Sequence, residues 1–139
     1  MTHKLCQAVI ICGGKATRLG SLTKSIPKSL LIIEGRCFLE RQIERLVEFG
    51  ITQFVLCVGH FSDQIRAFVE KEKIQQKLRV SIEFSVEDTP RGTLGALYLA
   101  NSRTLLEDYF LLTYGDTYPT FEPGQLLKKI GIVESRFLK

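Results

Sequence analysis

Two cations, a glycine pair and one carboxylate are the residues in this chain best suited to handling a phosphate group. A short apolar run, Gln7 to Cys12, stops at Gly13-Gly14. Without Cβ atoms, a glycine pair lets backbone N–H groups come close to an oxyanion. Arg18 follows, and its planar guanidinium offers a fork to two phosphate oxygens. Lys28 follows Pro27, whose fixed φ can aim the movable ammonium. Far along the chain, Asp116 sits in a Gly-Asp turn. Its carboxylate is a hard oxygen ligand suited to Mg²⁺, which takes one or two carboxylates plus phosphate oxygens.

Each feature alone is common: Gly-Gly is an ordinary turn, one arginine is ordinary surface, and Gly-Asp occurs everywhere. The stretch is not a Walker A loop, because G-x-x-x-x-G-K-[ST] is absent. Nor does Gly13-Gly14-Lys15-Ala16 supply the G-x-G-x-x-G dinucleotide fingerprint. The case rests on the set, and the set needs elements that bring Asp116 to the Gly13-Gly14 break.

Those elements alternate. Gln7–Cys12 reads as a buried strand. Phe38–Phe49 has apolar residues at helical spacing, and Gly50 stops it. Ile51–Val58 is a second strand. Ser62–Glu72 is a helix with Ser62 as N-cap. Val80–Val86 alternates as a third strand, Thr93–Leu106 is helical, and Tyr109–Thr113 is a fourth strand. A weaker helix is expected within 121–133. Strands alternating with helices predict an α/β fold with a parallel sheet covered on both faces. Right-handed crossovers lead to strand order 3-2-1-4. Strand 1 is then central, and the crevice between the carboxyl ends of strands 1 and 4 is the expected ligand site. No repeat, low-complexity tract or linker divides the chain, so 1–139 reads as one domain.

Composition narrows the partners. At 139 residues and 45% hydrophobic, the chain can bury a core without staples. Nineteen basic against fifteen acidic residues give a net charge of +4, too mild to demand nucleic acid. Nor is there a basic stripe with interleaved aromatics. A small phosphorylated ligand suits the balance. Lys71, Lys73 and Lys77 alternate with Glu70, Glu72 and Gln75, which reads as a solvated helix face. No run approaches a membrane span, and the N-terminus lacks a signal-peptide pattern, so the chain is expected to begin at Met1 and stay cytoplasmic. Cys6, Cys12, Cys37 and Cys57 form no C-x-x-C pair and read as reduced, packed thiols. His3 and His60 do not read as ligands or bases; His60 is taken as a loop residue near strand 2.

With these residues in place, the chain resembles the sugar-1-phosphate nucleotidyltransferases. Their G-G-x-G-T-R-L and T-x-x-x-P-K-x-L motifs correspond to Gly13-Gly14-Lys15-Ala16-Thr17-Arg18-Leu19 and Thr23-Lys24-Ser25-Ile26-Pro27-Lys28-Ser29-Leu30. Their E-x-x-P-x-G-T-x-G-A-L corresponds to Glu87 through Leu97, and their G-D to Gly115-Asp116. The resemblance runs from about Ala8 to Thr117 and is nearest to mannose-1-phosphate and heptose-1-phosphate guanylyltransferases.

The resemblance implies a Rossmann-like three-layer sandwich and synthesis of an NDP-sugar and pyrophosphate from an NTP, GTP favoured, and a sugar 1-phosphate. It implies that Gly13, Gly14 and Thr17 line the triphosphate. Arg18 holds the departing β/γ-phosphates, and Lys28 neutralises charge near the α-phosphorus. Glu87, Gly92 and Thr93 lie by base and ribose, and Asp116 binds Mg²⁺. Arg18, Lys28 and Asp116 form the implied catalytic set. A carboxylate at Glu87 could accept from both N1–H and N2–H of guanine, or be an exposed strand-end residue.

The chain departs from the family at Ala16, where a third glycine is usual, at Ser29, where proline is usual, and in length. The family is longer, and residues 130–139 resemble nothing in it, so the chain is expected to be truncated relative to the family. A sheet edge left open would favour a homodimer. Two alternatives stand beside the sugar nucleotidyltransferase: a nucleotide-binding module with weak or no turnover, and a cytidylyltransferase or other non-sugar nucleotidyltransferase.

Overall fold

A computed structural model describes residues 4–13 and 25–120 of the chain. Within them, β1 (Gln7–Ile11), β4 (Gln53–Val58), β5 (Ser81–Val86) and β6 (Leu111–Tyr114) form one sheet. Its order is β5-β4-β1-β6 and every pairing is parallel. In chain order of these four strands this is 3-2-1-4, as the alternation and crossover rule require.

The sheet separates two cores. Side chains on a strand point alternately to opposite faces, so a doubly covered strand is apolar throughout. Ala8 and Ile10 of β1, with Phe54, Leu56 and Val58 of β4, pack into one core. Val9, Val55 and Cys57 face the other. On the first face lie α1 (Phe38–Glu48), α2 (Ser62–Lys71) and the short α3 (Ile74–Leu78). Leu39, Ile43 and Leu46 of α1, Ile65 and Val69 of α2 and Ile74 of α3 are buried there. On the second face lies α4 (Gly92–Ser102), which buries Ala96, Leu97 and Ala100 against the sheet. The result is the three-layer α/β/α sandwich.

Local details differ from the sequence reading. Tight elements too short to show a period were missed: a 3₁₀ turn at Lys28–Leu30, the hairpin of β2 (Ile32–Ile33) and β3 (Arg36–Cys37), and α3. Ser62 is not the N-cap of α2. Phe61 occupies that position and no side chain caps it, while the Ser62 N–H donates to the Gly59 carbonyl at 2.9 Å. The Lys/Glu run is not one continuous face, because Lys73 turns left-handed at φ 51° and divides α2 from α3. The helix expected to reach Leu106 ends at Ser102, and the fourth strand begins at Leu111 rather than Tyr109. The helix expected within 121–133 lies outside the described residues. No helix among the described residues is long and apolar enough to cross a membrane.

Candidate functional site

Parallel pairing brings the carboxyl ends of β1 and β6 side by side. Ile11 pairs with Tyr114, and the Gly115 N–H donates to the Ile11 carbonyl at 2.9 Å. Residues from opposite ends of the described chain thus meet at one edge of a cleft of about 400 Å³. Gly13, Lys28, Glu87, Gly92, Thr93 and Asp116 all line it. Gly14, Thr17 and Arg18 lie outside the described residues.

Lys28 and Asp116 face each other at the mouth of the cleft, with Nζ 3.7 Å from Oδ2. Lys28 opens the 3₁₀ turn, which Pro27 initiates in extended geometry at φ −65°. Bonds from Leu30 N–H to the Pro27 carbonyl (2.9 Å) and Leu31 N–H to the Lys28 carbonyl (3.1 Å) close it. Asp116 belongs to a β-turn in which the Thr117 N–H donates to the Tyr114 carbonyl at 3.1 Å. Both side chains keep access to solvent, 31% for Lys28 and 56% for Asp116, so each can turn toward an incoming anion or cation.

Glu87 is buried at the end of β5, which removes the reading of it as an exposed strand-end residue. Its backbone N–H continues the ladder to the Val58 carbonyl at 2.9 Å. Its Oε2 accepts from the Arg91 N–H at 3.2 Å. Its Oε1 lies against the Gly13 backbone, where an added Cβ would sit 2.6 Å away. A side chain at 13 would therefore have to displace the Glu87 carboxylate, while the Gly13 backbone itself has no positive φ. Gly92 opens α4 at φ +70°, a conformation that strains any side chain.

Glu87, with Gly13 and Pro90, also borders a second cavity of about 430 Å³ lined by Gly59, His60, Asp88 and Thr89. His60 lines this second cavity, exposed, with its ring edge-on to Phe61 at 4.8 Å. The loop reading of that histidine stands, with a ligand-sized space beside it.

Cys12, Ser29 and Tyr114 also line the main cleft, although the sequence reading gave none of them a place in the site. Tyr114 OH and Thr93 Oγ1 are 3.1 Å apart across it. The signal for Tyr114 was its place beside Gly115-Asp116; the sequence reading ended the strand at Thr113, whereas the structure extends it through Tyr114. Burial pushes the Cys12 thiol up to about 12, helped by the charges of Cys57 and Asp116 and opposed by the Ser29 hydroxyl. Burial likewise pushes Cys57 up to about 12. Neither thiol is a nucleophile near neutral pH.

Asp116 offers one accessible carboxylate at the cleft mouth. Among the described residues, no three His, Cys, Asp or Glu side chains cluster as a protein-built metal cage. A single carboxylate fits Mg²⁺, which draws its other ligands from phosphate oxygens and water.

The described geometry is a parallel sheet whose first-strand exit, Pro-Lys turn, buried glutamate and Gly-Asp turn share one cleft. The pattern of the nucleotidyl transferase family matches residues 7–134. The chain belongs to that family. The match reaches the first residues of the tail read above as unlike it. The chain is 36% identical over 129 residues to a mannose-1-phosphate guanyltransferase from Aspergillus oryzae, covering 90% of this chain and 35% of that one. It is 35% identical over 130 residues to D-glycero-alpha-D-manno-heptose 1-phosphate guanylyltransferase from Campylobacter jejuni, covering 94% of this chain and 54% of that one. Among solved structures, HddC from Yersinia pseudotuberculosis complexed with GMP-PN superposes with a TM-score of 0.77 at 30% identity, over 89% of this chain and 53% of that one. The chain thus spans about half the length, or less, of these family members.

Proposed function

We propose that the chain is the nucleotide-binding part of a Mg²⁺-dependent sugar-1-phosphate guanylyltransferase. The observation that carries this is the convergence of Lys28, Asp116 and buried Glu87 on one cleft, in a chain similar to two kinds of guanylyltransferase. In the reaction, a phosphate oxygen of the sugar 1-phosphate attacks the α-phosphorus of GTP. The new O–P bond forms as the bond to the β-phosphate oxygen breaks, and pyrophosphate leaves. The reaction brings anions together, so positioning and charge neutralisation carry most of the catalysis.

Each residue has a part in this scheme. Lys28 neutralises charge near the α-phosphorus, and Arg18 holds the β/γ-phosphates. Backbone N–H groups of Gly13 and Gly14, with Thr17, line the triphosphate. Gly92 and Thr93 border base and ribose. Glu87 receives guanine: one oxygen is already engaged by Arg91 N–H, yet a carboxylate has lone pairs left for N1–H and N2–H. Uracil has no such pair of donors. Asp116 would hold Mg²⁺, which when bound supplies compensating charge at the phosphates.

Pyrophosphate release from GTP with mannose 1-phosphate, heptose 1-phosphates and other acceptors tests the proposal. Activity with GTP and a sugar 1-phosphate, abolished by EDTA, is the expected result. Turnover only with CTP and a non-sugar phosphate would assign the chain to another nucleotidyltransferase class. Calorimetric binding of GTP with no product from any acceptor would leave it a nucleotide-binding module.

A further inference from the structure

We infer that Gln42 is a positioning residue that holds the Asp116 carboxylate at the cleft mouth. The inference rests on the proposed magnesium role of Asp116.

Gln42 lies in the middle of α1 and is fully buried, an unusual place for an uncharged amide on a helix face otherwise lined by Leu39, Ile43 and Leu46. Its Nε2 donates to two backbone carbonyls, Tyr114 and Thr117, each at 2.7 Å. These residues are the first and last of the turn that contains Gly115 and Asp116. One amide thus clips both ends of the turn that carries the carboxylate. The acceptors dictate the amide's orientation: reversed, its oxygen would face two carbonyl oxygens. Its Oε1 has no described partner, so burial of this amide is tolerated for what Nε2 does.

The same helix also fixes the other member of the ion pair. The Phe38 N–H, at the start of α1, donates to the Leu31 carbonyl at 3.0 Å, and Leu31 N–H bonds to the Lys28 carbonyl. Helix α1 therefore reaches Lys28 through its first residue and Asp116 through Gln42. It sets the spacing of a cation and a carboxylate that come from distant parts of the chain. Among the described residues the Asp116 side chain meets only accessible partners, the Lys28 ammonium at 3.7 Å and the Thr117 hydroxyl at 3.5 Å, so its buried anchorage runs through its backbone turn. Partners behind a metal ligand typically set its geometry and affinity.

The test measures GTP binding to the 139-residue chain by calorimetry, once with Mn²⁺ and once with EDTA. The ratio of the two dissociation constants is the metal-dependent gain. Asp116→Asn should abolish the gain. Gln42→Met, which keeps the length and removes the donor, should cut it roughly 10-fold, while metal-free GTP affinity moves less than about twofold. Equal losses with and without metal would make Gln42 merely structural and overturn the inference, as would an unchanged gain. If Asp116→Asn leaves the gain intact, the magnesium reading itself falls and takes this inference with it. Should Gln42→Met not fold, side-chain amide exchange in the unmodified chain decides. The Gln42 NH₂ protons should slow further with Mn²⁺ and GTP than with GTP alone, and equal rates in the two states overturn the inference.

Discussion

The Lys28 ammonium lies 3.7 Å from the Asp116 carboxylate, although one follows the first strand and the other the last described strand. Their neighbourhood exists only because β1 and β6 pair in parallel. The pair is too exposed to matter much for stability, since solvent-accessible ion pairs are worth roughly 0–1 kcal/mol. Under the proposed function the two groups neutralise each other without nucleotide, and with it Lys28 would engage a phosphate and Asp116 a cation.

Replacing Lys28 with methionine should therefore separate activity from stability. Guanylyl transfer should fall roughly 100- to 1000-fold, the scale of losing one charge-stabilising group. The melting temperature should shift by no more than a few degrees. A steady-state assay beside a thermal melt checks both, and an active Lys28→Met chain counts against the proposed role.

Gly13→Ala should be costly for a reason local to Glu87. The added methyl would lie 2.6 Å from Glu87 Oε1, and the carboxylate is confined by its bond to Arg91 N–H. Forcing the two apart should cost about 1–3 kcal/mol of stability. It should also weaken GTP binding by moving the carboxylate. Urea unfolding and GTP titration of the same protein test both effects.

Glu87→Gln exchanges an acceptor for a mixed donor and acceptor at a buried position. The preference for GTP over UTP should shrink roughly 10- to 100-fold, corresponding to one unsatisfied buried hydrogen-bonding group at about 1–3 kcal/mol. Competition binding with the two nucleotides measures it. An unchanged preference would place base selection elsewhere.

Stability should decline with alkalinity. Burial raises the Cys12 and Cys57 thiols from 9.0 to about 12 in the folded chain. Between those values the unfolded chain releases protons that the folded chain keeps, so the folded state loses stability as pH rises from 9 toward 12. Melting temperature should fall across that window, and a Cys12→Ala, Cys57→Ala chain should show a flatter profile. At neutral pH, iodoacetamide should leave both thiols unmodified in the folded protein.

Much of the architecture was legible in the order of residues. Doubly buried strands such as Gln53–Val58 must be apolar on both faces, and helices such as Phe38–Glu48 must repeat near 3.6, so both periods survive in the sequence. Glycines and Pro27-Lys28 mark strand exits and turns by their chemistry. The two-residue strands β2 and β3 and the single-turn helix α3 are too short to show a strand or helix period. The division at Lys73 was hidden because a left-handed lysine has no compositional mark.

The sequence by itself determined which groups are available: a lysine behind a proline, a carboxylate behind a glycine, a glutamate at a strand end, and an alternation that admits few topologies. Tertiary structure alone decided that Glu87 is buried against Gly13, that Lys28 and Asp116 face one another, and that Gln42 of α1 clips the Asp116 turn. The reason is range. Periodicity and turn chemistry act over a few residues, whereas each of these contacts joins segments brought together only by strand pairing and helix packing.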